Sequence, residues 1–234
     1  MRDLRSELGD LVRGVERIPS RGTGRSVMVI AASAGEGTSS VAASLAVQLS
    51  GRCAKACWLM DLDLMGNDQY HAFNNNLFPR MGRPGRALDA SLNVQPFYQL
   101  VPQVRASNGQ TRPPAKLLGI HRVDNTNLFV SKFRKEYVKS GQRVQVRSGA
   151  AYWDSLRNVC DWAVLDAPAL ETSSAGLAMC RYVDAVVLVM RADKTEAEDL
   201  NGLRDEIEAH GGKCLGVVVN QIRSDARFAD RFSG

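Results

Sequence analysis

The stretch Ala34-Gly35-Glu36-Gly37-Thr38-Ser39-Ser40 combines small, flexible residues with hydroxyls, a set suited to holding phosphate. Glycines let backbone N–H groups approach an anion closely, and a helix starting at this point adds the partial positive charge of its N-terminus. A hydroxyl in the first helical turn, here Ser39, can ligate magnesium. Three aspartates bring the complementary chemistry: Asp61 and Asp63 follow one apolar run, and Asp166 follows another, just before Ala167-Pro168. One such carboxylate can hold magnesium directly or through water, and a second can orient an attacking group. A single acidic strand end is ordinarily a cap or a turn; three in this order after the loop point to one site. Nothing else competes for the chemistry. Cys53, Cys57, Cys160, Cys180 and Cys214 are scattered, His71, His121 and His210 are isolated, and no zinc-type spacing results. The thiols read as reduced and structural.

For these residues to converge they must sit at the C-terminal edge of a parallel sheet. Val27–Ala31 reads as a buried strand running into the loop, followed by a helix with Val41, Leu45 and Leu49 on one face and Gly51 as a left-handed stop. Four further apolar runs recur: Cys57–Asp61, Trp162–Asp166, Ala185–Met190 and Leu215–Asn220. They lack period-2 alternation, as strands covered on both faces do. Thr195–His210 reads as a helix with Glu196, Glu198 and Asp199 early. The expected fold class is α/β, doubly wound, with a mainly parallel sheet and helices on both faces. Gly66–Gly149, rich in Asn, Gly, Pro and Arg, gives the weakest pattern, with short strands expected at Phe97–Val101 and Asn127–Val130. Leu4, Leu8, Leu11, Val12 and Val15 make Met1–Arg17 an amphipathic helix, and Pro19–Gly24 a linker. Residues 1–25 are thus an N-terminal helix and linker, and 26–234 a single domain.

At 234 residues, 44% hydrophobic and 24% charged, the chain has ordinary globular composition, which excludes wholesale disorder. No apolar run approaches the ~18 residues of a membrane helix. Met1–Arg17 is charged throughout, without the apolar centre of a signal peptide, so a cytoplasmic location is expected. The net charge of +5 is unevenly spread: Arg105–Arg157 holds 11 Lys/Arg against Asp124, Glu136 and Asp154. Such a segment suits phosphate, an anionic membrane surface or an acidic partner, or is simply a solvated face. Phe129, Phe133, Tyr137, Tyr152 and Trp153 within it fit either base stacking or a core.

Taken together, the motifs resemble the P-loop ATPases of the chromosome-partitioning and division-site-placement superfamily. The nearest resemblance within it is to the cytoplasmic domain of bacterial polysaccharide-export tyrosine kinases. The segments that carry it are IAASAGEGTSSVAASLA (Ile30–Ala46), WLMDLDLMGND (Trp58–Asp68), VCDWAVLDAPAL (Val159–Leu170), DAVVLVMRADKTEAEDL (Asp184–Leu200, with Arg191 and Thr195) and LGVVVNQI (Leu215–Ile222). The resemblance implies nucleotide binding by Gly35, Glu36, Gly37, Thr38, Ser39 and Ser40, with Asn220 where family members read adenine. Ser39, Asp61 and Asp166 would serve magnesium, and Asp61 and Asp63 would be catalytic in an active member. ATP and Mg2+ are the implied cofactors.

Departures from the family pattern shape the expected function. Ala32 replaces the first glycine, Thr38 stands in place of the loop lysine, and Leu64-Met65-Gly66 follow Asp63 where an arginine is usual. Ala169 replaces a second proline, no tyrosine follows Tyr182, and the extra lysine of the partitioning ATPases is missing near Ser33. A charge-assisted hydrogen bond contributes about 1.5–3 kcal/mol, so losing the lysine lowers nucleotide affinity roughly 10- to 150-fold. Phosphoryl transfer, which needs positive charge at the reacting oxygens, suffers more. The resemblance therefore implies a degenerate, non-catalytic regulatory or scaffold subunit in exopolysaccharide, capsule or holdfast biosynthesis and export. Its partner would be an inner-membrane co-polymerase or chain-length protein that keeps it peripheral to that membrane, with self-association through the nucleotide face. The alternatives are an active ATPase or tyrosine autokinase of the same pathway, with a lysine or arginine from a partner chain, and a positioning ATPase on DNA or membrane. Nucleic acid is not the expected partner.

Overall fold

A computed structural model describes residues 1–20, 22–102 and 116–221. In chain order it contains α1 (Gly9–Glu16), β1 (Arg25–Ala31), α2 (Thr38–Ser50), β2 (Cys57–Asp61), α3 (Asp68–Asn74), β3 (Pro84–Asp89), β4 (Tyr98–Val101), β5 (Leu118–Val123) and β6 (Leu128–Phe133). There follow β7 (Arg143–Val146), α4 (Ala150–Val159), β8 (Trp162–Asp166), α5 (Ala175–Met179), β9 (Ala185–Arg191), α6 (Ala197–Ala209) and β10 (Cys214–Asn220). The five unalternating apolar runs become five neighbouring parallel strands; four are largely buried on both faces, as such runs require, but β10 at the sheet edge is not, with Leu215, Val217 and Val219 exposed. The eight-stranded sheet runs β10-β9-β1-β8-β2-β6-β5-β3. It is parallel through β6, and β5 and β3 are antiparallel. A separate ribbon pairs β4 with β7. The mainly parallel, doubly wound expectation is met.

Two apolar layers flank the sheet. On one face Val27, Val29 and Val164 meet α1, α2 and Phe73 of α3. On the other, Met28, Ile30 and Leu165 meet Trp153 of α4, Met179 of α5 and Leu203 and Ile207 of α6. Each fully buried Leu, Ile or Val contributes about 1.5–3 kcal/mol. Helix α2 is buried nearly all round rather than on one face, since Ala42, Ala43, Ser44 and Ala46 let neighbours approach it closely.

Several expectations need correction. The N-terminal helix is only Gly9–Glu16. The residues before it lie along α2 as a strap: Arg2 N–H donates to Ser40 Oγ (2.9 Å), Leu4 N–H to Ser44 Oγ (2.9 Å), and Gln48 Nε2 to the Arg5 carbonyl (2.7 Å). Acceptors and donor spaced by four on one helix face hold the strap, and Leu4, Leu8, Val12, Val15 and Ile18 enter the same core as β1. Gly51 is right-handed (φ −68°) and stops α2 without a left-handed turn. Gly66–Gly149, the weak stretch, gives β3, β5 and β6 to the main sheet. Phe133, Tyr152 and Trp153 are core residues and cannot stack on bases, whereas Tyr137 is exposed. Of the basic segment Arg105–Arg157, residues 105–115 lie outside the described residues, as do 222–234. No helix among the described residues is long and apolar enough to cross a membrane.

Candidate functional site

The loop leaves β1 at Ala31 and enters α2 at Thr38. Gly35 (φ +84°) and Gly37 (φ +98°) adopt left-handed conformations that side chains resist, and the Gly37 carbonyl accepts the first α2 bonds from Ser40 and Val41. Gly37 is required twice over, since a Cβ there would lie 2.0 Å from Asn220 Nδ2. That amide donates to the Glu36 carbonyl (2.8 Å), tying the loop to the end of β10. The Glu36 side chain points inward, 1% exposed, and accepts from the Thr195 hydroxyl, which itself accepts from Arg191 N–H (2.8 Å). Glu36 and Asn220, expected to touch nucleotide, therefore brace the loop from behind. The physical reason lies behind the loop, where Thr195 offers the Glu36 carboxylate a hydroxyl and the Glu36 carbonyl takes the Asn220 amide. Gly35, Gly37, Thr38, Ser39 and Ser40 do line the crevice, whose volume is about 490 Å³.

The acidic wall forms where β2 and β8 end side by side, with Asp61 in register with Asp166. Both are 4% exposed. Asp61 accepts from Asp63 N–H (3.0 Å) and Gln69 N–H (3.2 Å). Burial, then repulsion from Asp166, holds the Asp61 carboxyl well above the usual range. Burial also pushes Asp166 up to about 6, against hydrogen bonds from Gln69 and Ser39 that favour its ionised form. Asp63 is exposed, and its carboxylate caps the turn at Met65 and Gly66 while lining the crevice.

These groups fit a magnesium ion. Asp166 Oδ1 is buried without a partner, and Ser39 lines the same crevice. No cluster of three His, Cys, Asp or Glu gathers in ligating geometry among the described residues. Magnesium keeps several waters and takes one or two protein oxygens beside phosphate, a role Asp166 Oδ1 and Ser39 could fill.

Sequence reasoning missed three contributors. Gln69 is fully buried, and its Nε2 bridges the Ser39 carbonyl (3.0 Å) and Asp166 Oδ2 (2.7 Å), joining α2 to the acidic wall. Glu171 accepts from the Ala34 N–H at the loop's outer rim. Arg2, at the start of the strap, lines the crevice beside Ser40. Only its position after Asp61 and Asp63 could have flagged Gln69; Arg2 and Glu171 carry no local signal.

No protein-family model matches the chain. Over 76 residues, 32% of the chain, it is 30% identical to the tyrosine-protein kinase CapB of Staphylococcus aureus, and the match spans about a third (33%) of that protein. Among solved structures, the VpsO kinase domain superimposes with TM-score 0.59 at 15% identity, over 94% of this chain and 95% of that one. The chimerical protein CapA2B2 does so at 0.59 and 21%, over 90% and 81%. A Cyanothece McdA variant in complex with ATP matches at 0.53 and 16%, over 90% and 78%. The crevice thus lies in a chain with the mostly parallel P-loop fold that tyrosine-kinase domains such as VpsO share with the ATP-bound McdA.

Proposed function

We propose that this chain is a tyrosine-kinase-like P-loop protein that binds Mg·ATP at the loop without transferring its phosphoryl group, and acts as a regulatory or scaffold subunit of polysaccharide export. One observation carries the reading: a formed crevice with loop amides and the Ser39–Asp166 pair, but Thr38 at the loop's cation position. The amides of Gly35–Ser39 would cradle phosphates, and Ser39 and Asp166, with Asp61 behind, would hold magnesium. A bound magnesium would neutralise charge on the phosphates. Thr38 adds a hydroxyl but no charge, so the developing negative charge of transfer goes uncompensated from the loop.

The likeness to CapB and to the CapA2B2 chimera supports a co-polymerase partner at the membrane. Arg122, Lys135, Lys139 and Arg143 stand exposed and suit an acidic partner surface or anionic lipid. Self-association through the nucleotide face belongs to the same reading.

The test is a turnover and phosphotyrosine assay with Mg·ATP, paired with thermal unfolding. A ligand confined to the folded state stabilises it by about 2.7 kcal/mol at a hundred times its dissociation constant. A thermal shift with no turnover above buffer is expected, and membrane pull-down should recover a polysaccharide-export protein. Turnover that Asp166→Ala abolishes would establish the active-kinase alternative instead.

A further inference from the structure

The crevice has an imbalance of charge. Asp61, Asp63, Asp68 and Asp166 line it, and the loop position that faces phosphate is the neutral Thr38. Of the lysines and arginines among the described residues, Arg2 is the one that lines it, next to Met1, with its backbone N–H on Ser40 and its guanidinium turned to Glu7. We propose that Arg2 supplies, from the chain's own N-terminal strap, the phosphate-directed positive charge that the loop lacks at Thr38; the inference rests on the reading of the crevice as a Mg·ATP site.

Three observations converge on it. The strap is held rather than draped: bonds from Arg2, Leu4 and Arg5 to Ser40, Ser44 and Gln48 fix its register on α2, and buried Leu4 and Leu8 anchor it in the core. Because α2 begins at the loop, this register sets residue 2 against the first turn, bonded to Ser40, which stands two positions after Thr38. The Arg2 backbone is thus fixed while its side chain stays 58% exposed and able to turn.

The present partner of the guanidinium is also weak. Arg2 Nη2 lies 3.5 Å from Glu7 Oε1, both side chains partly exposed. Exposed pairs of this kind contribute little. A guanidinium matches phosphate in a two-pronged, charge-assisted geometry, so exchanging Glu7 for a phosphate favours the bound state. Arg2 would then add its charge to what the loop and a magnesium held by Ser39 and Asp166 would supply to the phosphates.

The experiment titrates the full chain with Mg·ATP and, separately, with tripolyphosphate, which lacks base and ribose. The proteins are wild type, Arg2→Ala, Arg2→Lys, Thr38→Lys and the double variant Arg2→Ala/Thr38→Lys. Arg2→Ala should weaken both ligands roughly 10- to 150-fold, as loss of a charge-assisted hydrogen bond does. Arg2→Lys should retain most of the affinity, and Thr38→Lys should restore it in the Arg2→Ala background. Unchanged melting of ligand-free Arg2→Ala separates this from a folding defect. Equal affinity of wild type and Arg2→Ala would overturn the inference and leave the nucleotide site standing. Binding by Thr38→Lys but not by wild type would overturn it too, since Arg2 would then not suffice. If neither wild type nor Thr38→Lys binds either ligand, the nucleotide reading itself fails.

Discussion

The parallel half of the sheet and its antiparallel margin are built on different terms. In β1, β2 and β8 all but one residue is buried, and the loop and the aspartates of the crevice follow directly from their ends. In β3, at the antiparallel edge, five of six residues are exposed. Arg122, Lys132 and Lys135 put charge on this margin, while the parallel half carries the crevice. The contrast teaches where rigidity is placed: the candidate chemistry rests on central strands clamped from both faces, and the sheet meets the outside at its edges, at β3 and also at β10, where Leu215, Val217 and Val219 are exposed. Asn67 joins the two. Buried and left-handed (φ 58°), it donates from Nδ2 to the Phe133 carbonyl (3.0 Å) and accepts from Phe133 N–H (2.6 Å), binding the end of β6 to the start of α3.

The largest effect should come from the parallel half. Leu165→Ala, at a fully buried β8 position, should lower unfolding free energy by about 2–5 kcal/mol, read as a shifted urea midpoint at unchanged slope. Next is the joint. Asn67→Ala leaves two buried backbone groups of Phe133 unpaired and a positive φ on alanine, about 3 kcal/mol in all. If the margin is a separable unit, tryptophan fluorescence and far-UV circular dichroism of this variant should no longer trace the same unfolding curve; coincident curves would break the contrast drawn here.

Third comes the buried aspartate. Asp166 titrates near 3.9 when unfolded and about 6 when folded, raised by burial. A raised carboxyl contributes stability below its unfolded value that is lost as pH climbs through about 6. The ligand-free protein should therefore lose on the order of 2–3 kcal/mol between pH 4 and 8 from this group. Asp166→Asn should abolish that loss and be the more stable form at pH 8; a difference between the two that stays constant with pH would count against burial as the cause. The smallest effect belongs to the margin, where Leu88→Ala on β3, 39% exposed, should change stability by less than about 1 kcal/mol by the same urea measurement.

Much of this was legible in the residues, unevenly. Cys57–Asp61 and Trp162–Asp166 have the predicted bounds because an unbroken apolar run can be buried on both faces in one way. The margin escaped, since Pro84–Asp89 and Arg143–Val146 are half solvated and their composition matches that of loops. The period through Leu4, Leu8, Val12 and Val15 fits a long helix as well as a strap followed by a short one. What separates them is Ser44, forty residues away from Leu4. In the site, composition located the loop and the aspartates but not the direction of side chains. Glu36 turns inward because Thr195 lies behind it, and Asn220 is spent on the Glu36 carbonyl, contacts that span 159 and 184 residues. Gln69 acquires its role only when β2 and β8 have been laid side by side.

The strap also bears on how the molecule opens. Local unfolding proceeds in cooperative blocks, and a segment exchanges its amide protons with the block that holds it. The Arg2 and Leu4 amides are bonded to Ser40 and Ser44 of a helix buried nearly all round. Their hydrogen exchange should be slow and in step with the first turns of α2. The mouth of the crevice then breathes as one piece, loop, helix start and strap together.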